Sequence, residues 1–104
     1  MAQVKALFYL PVRDNDGRDL SSEIDDVRVE LFIRFHGWSS LGYVQGAYRM
    51  ADGAPSLDVN ESYMVILDAS RLPELEEILR DFKSKTLQEA IYLEITRDIE
   101  VRFI

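Results

Sequence analysis

The sequence predicts an α+β domain in which a four-stranded antiparallel sheet carries two helices on one face. Three observations lead there. Segments with a period of two alternate with segments of helical period in the order β-α-β-β-α-β. The chain has 104 residues, 47% of them hydrophobic, which fills one core over residues 1–104 and leaves no room for a second. No cysteine is present, so this core is held by packing and hydrogen bonds without disulfides or thiolate-bound metal.

Residues Val4 to Val12 form the first expected strand, with Val4, Ala6, Phe8, Leu10 and Val12 on one face and Lys5, Leu7, Tyr9 and Pro11 on the other. Asp14-Asn15-Asp16-Gly17 supplies short polar side chains and a permissive glycine for a turn, and Ser21-Ser22 are candidate helix caps, with Asp25 completing a capping-box variant. A helix is expected over residues 23–36, with Ile24, Val27, Leu31, Ile33 and Phe35 as its apolar residues and Gly37 ending it near His36. Gly42 to Met50 is the second strand, interrupted at Gly46 by a bulge or a close backbone approach. Ala51 to Asn60, with Asp52-Gly53 and Pro55, is a turn or a longer hairpin loop.

The third strand covers Glu61 to Asp68, with Tyr63, Val65 and Leu67 opposite Met64 and Ile66. Pro73 suits the first turn of the second helix, whose early Glu74, Glu76 and Glu77 and late Arg80, Lys83 and Lys85 complement the helix dipole. Leu72, Leu75, Ile78, Leu79 and Phe82 give it a buried stripe. Ala90 to Thr96 is the fourth strand, and Ile99, Val101 and Phe103 follow as an extra C-terminal strand or an extended tail. This order is the split βαβ layout of a ferredoxin-like βαββαβ sandwich. Its second sheet face is open, and Leu7, Tyr9, Tyr48 or Tyr43, and Met64 or Tyr63 would populate it according to register. An apolar face of that size marks an interface or a ligand floor, so a homo-oligomer, dimer or trimer, is expected.

Charge narrows the partners. Twelve Lys plus Arg against nineteen Asp plus Glu leave −7, which repels phosphate backbones and anionic lipid, so nucleic acid and membrane surfaces are not expected partners. No apolar run approaches the roughly 20 residues of a spanning helix, and the N-terminal run reads as a strand and not as a signal peptide. With no cysteine, a cytoplasmic location is the expectation.

His36, Trp38, Tyr43, Tyr48 and Arg49 are the candidate ligand-binding residues, grouped around the end of the first helix and the second strand and including the only His and the only Trp. Histidine serves acid–base chemistry at neutral pH, yet one in a helix's last turn also complements the dipole without any chemistry. Trp38 is more often a packing anchor than a substrate platform. No catalytic triad spacing is present, and no catalytic residue is assigned.

Asp14, Asp16, Gly17 and Glu23 have the spacing of the later part of a calcium loop, but Val12 stands at its first ligand position, so no metal and no cofactor are assigned. The acidic run Asp14, Asp16, Asp19, Glu23, Asp25 and Asp26 reads as a solvated face or a docking surface for a basic protein. Gly42-Tyr43-Val44-Gln45-Gly46 lacks the lysine and the following helix of a phosphate loop. Glu94, alternating outward from Leu93 and Ile95, faces solvent or an oligomer interface.

Gly37-Trp38 with Gly42-x-x-x-Gly46-x-Tyr48, and Gln88-Glu89-Ala90-Ile91-Tyr92-x-Glu94 ending in Val101-Arg102-Phe103-Ile104, resemble small uncharacterised bacterial ferredoxin-like domains. The order of elements is also similar to the nitrogen-regulatory PII proteins, trimers that bind effectors between subunits and signal through the loop between the second and third strands. Ala51 to Asn60 would be that loop here, though it is short, and the basic, glycine-rich phosphate signatures are missing. Fold resemblance is an analogy only. The expected function is therefore a non-catalytic oligomeric module for a small effector or a protein partner. The alternative is a small cofactor-free enzyme of the dimeric ferredoxin-like type, with a pocket of Phe35, His36, Trp38, Tyr43, Tyr48 and Arg49.

Overall fold

Alternation and register place the core before any helix is considered. The computed structural model describes residues 2–104; Met1, first residue of the expected 1–104 domain, lies outside the described residues. Strand β1 (Gln3–Pro11) pairs antiparallel with β3 (Pro55–Asp68) along its whole length, setting Val4, Ala6, Phe8 and Leu10 beside Leu67, Val65, Tyr63 and Glu61. Because successive side chains point to opposite faces, this register sends one apolar row of each strand to the same side. Helices α1 (Ser21–Phe35) and α2 (Leu72–Lys85) cover that side. Strand β2 (Ser39–Arg49) pairs with β3, and the short β4 (Leu93–Thr96) with β1, giving the order β2-β3-β1-β4. This is an α+β ferredoxin-like sheet with two helices on one face, as the element order implied.

Helix α2 buries Leu75, Ile78, Leu79 and Phe82, four of the five expected stripe residues, while Leu72 packs partly against the core. It ends in a Schellman-type cap: Gln88 N–H donates to Lys83 C=O and Leu87 N–H to Ser84 C=O, with Leu87 left-handed at φ 55°. Helix α1 starts two residues before the expected boundary. Its N-cap is the buried Leu20 with no side-chain cap bond, and Ser21 lies within the helix and donates to Asp19. The Ser22–Asp25 capping box does not form; Asp25 instead pairs with Arg28 at 3.2 Å. Ile24, Val27, Leu31 and Phe35 face the core, whereas Ile33 is exposed with Val29 and Phe32, because a 100° step per residue carries positions 29, 32 and 33 away from that stripe.

Strand β2 begins at Ser39 and not at Gly42, β4 begins at Leu93 and not at Ala90, and two further segments stand out. The segment 51–60 is mostly strand: the turn closes between Met50 and Ala54, where Met50 N–H donates to Ala54 C=O at 2.8 Å, and β3 begins at Pro55. Ser56, Asp58 and Asn60 alternate with Leu57 and Val59, a period-two pattern masked by its polar half and by a proline that the first residue of a strand tolerates. The β2–β3 pair thereby runs past the end of β1 as a two-stranded ribbon. Strand β2 also bulges at Ser40/Gly42, where Gly42 takes φ 98°, and not at Gly46, which pairs regularly with Asp58. The second case is the C-terminus, where residues 97–104 form no strand, so the tail alternative holds.

Register settles the open face. Leu7, Tyr9, Tyr48 and Met64 lie on it, while Tyr43 and Tyr63 are on the helix side, since Tyr43 stands opposite Glu61 and Phe8 opposite Tyr63.

Candidate functional site

Four stretches of chain converge on the open sheet face. Tyr9 and Pro11 from β1, Tyr48 to Met50 at the end of β2, Ser56, Asp58 and Asn60 from the ribbon part of β3, and Gln88 to Tyr92 before β4 line one groove of about 370 Å³, with Asn15 from the first turn joining them. The volume suits a small organic molecule. Tyr9 and Tyr92 stack at 4.6 Å between ring centroids and 18° between planes. The pairing that brings them together is the backbone bond from Tyr9 N–H to Tyr92 C=O at 3.2 Å, which extends the β1–β4 ladder beyond Leu93. The Tyr92 hydroxyl donates to Glu94 at 2.6 Å, and that acceptor, together with slight desolvation, raises the Tyr92 pKa from its ordinary value.

Tyr48 owes its position to a missing side chain. A Cβ on Gly46 would stand 2.6 Å from the Tyr48 hydroxyl oxygen and 2.7 to 2.8 Å from two ring carbons. The tyrosine therefore lies along its own strand over the Gly46 backbone, and the close backbone approach expected at Gly46 is an approach by this ring. Asp58 beside it accepts from the Ser56 hydroxyl at 2.9 Å.

A second polar centre lies on the helix side. Glu61, buried under α1, accepts from the Tyr63 hydroxyl at 2.5 Å, from Arg28 Nη2 at 3.1 and 3.2 Å, and from Ser40 at 2.8 Å. Arg28 Nε also donates to the Tyr63 oxygen at 2.9 Å. Trp38 packs edge-on against Tyr63, with the Arg28 guanidinium 5.0 Å from its ring centroid. Burial, with the bond to Glu61, pushes the Tyr63 pKa far above its usual value, although Arg28 pulls the other way. Every oxygen of Glu61 and Tyr63 is used within this cluster, which locks α1 to the base of the ribbon.

The sequence candidates divide between these places. Tyr48 and Arg49 line the groove, whereas Trp38 belongs to the Arg28–Glu61–Tyr63 cluster and Tyr43 is exposed on the opposite side of the ribbon. His36 is exposed at the C-terminus of α1, left-handed at φ 68°, with its N–H donating to Phe32 C=O at 3.0 Å. The five residues are thus not brought together. In the first turn, Asp14 accepts from the backbone of Asp16 and Arg18, and Arg18 pairs with both Asp14 and Glu23, so two of the calcium-spaced acids are engaged with an arginine. Tyr9, expected on the open face as part of an interface or ligand floor, lines the groove, whereas Asn15, Asp58, Asn60 and the run Gln88 to Tyr92 are groove residues that the sequence reading gave no site role. The signal available was the Gln88–Glu94 motif, whose position beside Tyr48 requires the β1–β4 ladder to be known.

Neither a family model nor a curated protein matches the chain. Solved structures do. A phage SAM lyase in complex with S-methyl-5′-thioadenosine superposes with a TM-score of 0.72 at 12% identity, covering 91% of this chain and 81% of that one. CutA1 from Oryza sativa gives 0.71 at 10% identity, covering 98% and 84%. CutA from Synechococcus elongatus gives 0.60 at 13%, covering 95% and 80%. At such identities the likeness shows a shared ferredoxin-like fold and carries no activity across. No helix of the described residues is long and apolar enough to cross a membrane.

Proposed function

We propose that the chain is a homo-oligomeric, non-catalytic module that binds a small molecule in the groove on its open sheet face. The convergence of four separate chain stretches on one groove, floored by stacked Tyr9 and Tyr92, carries the reading. The oligomer is supported by apolar residues left half-covered on the open face, among them Leu7, Val44, Met64 and Ile66, and by Leu41, Tyr43, Leu57 and Val59, exposed along β2 and β3. A module of this kind needs shape and hydrogen-bond partners but no base or nucleophile. His36, the candidate base of the alternative enzyme, is exposed.

Native mass spectrometry of the purified protein, with and without added S-methyl-5′-thioadenosine, tests both halves. That compound is chosen because a phage SAM lyase of the same fold holds it. The expected result is a dimer or trimer carrying either a retained small molecule or the added one. A bare monomer that takes up nothing would overturn the reading.

A further inference from the structure

The chemistry of the groove goes further than its shape. Three tyrosine rings line it, and Tyr48 and Tyr92 each remain about half exposed, at 48%, so their rings are available to a ligand. A tyrosine face is the negative pole of the ring quadrupole and attracts cations. The Tyr92 hydroxyl donates its hydrogen to Glu94, which leaves more electron density on that ring. Two carboxylates in the lining, Asp58 and Glu89, form no ion pair with Lys or Arg among the described residues. Arg49 also contributes to the wall, but alternation along β2 turns its side chain to the opposite face from Tyr48.

Resting on the binding-module reading, we propose that the groove selects a small organic cation, a methylated ammonium or a group of like charge and shape. Such a cation meets tyrosine faces with its apolar methyl groups and satisfies unpaired carboxylates with its charge. An anion would face Asp58 and Glu89, and a neutral apolar ligand would supply no charge to either carboxylate.

The test compares choline with its uncharged isostere 3,3-dimethylbutan-1-ol, using the tyrosine ring resonances of the full chain as readout. Choline is expected to shift the resonances of Tyr9, Tyr48 and Tyr92 and to bind at least tenfold more tightly than the isostere. The Asp58→Asn, Glu89→Gln double variant should lose most of that preference, with choline and the isostere binding within about threefold of each other. Tyr92→Phe should retain choline and Tyr92→Leu should lose it, with an unchanged amide spectrum away from the groove showing that each variant is folded. Equal binding of choline and isostere would overturn the cation selectivity and leave the binding groove standing. So would shifts produced by S-methyl-5′-thioadenosine alone. Resonances unmoved by all three compounds would remove the groove itself.

Discussion

Leu87 sits in a backbone conformation that a glycine would hold without strain. Its φ of 55° fills the left-handed position of the α2 cap, its side chain is exposed, and Gln88 of the groove follows directly. The left-handed region costs a Cβ-bearing residue roughly 1–2 kcal/mol, part of which glycine returns as extra freedom in the unfolded chain. Leu87→Gly is expected to stabilise the fold by about 0.5–1 kcal/mol in urea denaturation. Tyr63 offers the opposite case. Tyr63→Phe removes the donor to Glu61 and the acceptor of Arg28 Nε, an expected loss of about 1–3 kcal/mol. Its pKa is raised on folding, so the hydroxyl contributes stability that is present below the unfolded value of about 10 and lost as pH rises toward the folded one. The wild type should therefore weaken above pH of about 10 more steeply than Tyr63→Phe, measured as unfolding free energy against pH. At Gly46 the neighbour of a new Cβ is the end of a flexible side chain, so Gly46→Ala should leave stability within about 1 kcal/mol while displacing Tyr48, visible as a moved ring resonance.

Among the elements, the β2–β3 ribbon differs most from its surroundings. Where β1 ends at Pro11 opposite Asn60, the ribbon continues as two strands alone, with Leu57 largely in solvent. A two-stranded hairpin is marginal in water, and its backbone hydrogen bonds open without disturbing the core. Amides of residues 44–58 are thus expected to exchange with deuterium much faster than those of 62–67 in a dilute monomer. The same amides should become protected at concentrations where the protein assembles, if the ribbon lies in the interface; unchanged exchange in the oligomer would place the interface elsewhere. Helix α2 is the contrasting element, since Leu75, Ile78, Leu79 and Phe82 all reach the core. Leu75→Ala is expected to cost about 2–5 kcal/mol by denaturant titration, the transfer loss plus the cavity left beneath α2.

At the scale of the whole molecule, the two faces of the sheet have separate tasks. The helix-covered face holds the core, and its polar cluster Arg28–Glu61–Tyr63–Ser40 is satisfied internally. The open face holds the groove and the half-covered apolar residues, and the molecule extends 44 Å along its long axis against 25 and 24 Å in the other directions. A formal charge of −7 sets a mutual repulsion between copies, which salt screens within about 10 Å at 0.1 M. Assembly through the open face is accordingly expected to tighten as salt is raised from about 10 mM to 0.15 M, read by sedimentation velocity. Dissociation by added salt would point instead to contacts made by opposite charges.

The element order, the inward rows of β1 and β3 and the stripe of α2 were legible in the sequence, because each follows from a local period repeated over a whole element. What local pattern could not supply was pairing. The ribbon half of β3 was hidden, since Ser56, Asp58 and Asn60 read as loop residues until β2 lies alongside to accept their backbone bonds. The same limit dispersed the candidate site. His36, Trp38, Tyr43, Tyr48 and Arg49 are near one another in the chain, but the helix end, the bulge at Gly42 and strand alternation send them to different places. The groove residues lie in β1, β2, β3 and the approach to β4, and only the β2-β3-β1-β4 order makes Tyr9, Tyr48, Asp58 and Tyr92 neighbours. Sequence alone determined the core rows of β1, β3 and α2, a matter of period and hydrophobicity; tertiary structure decided that Leu20 is buried and Ile33 exposed, and which polar and aromatic residues meet outside the core, a matter of packing and register.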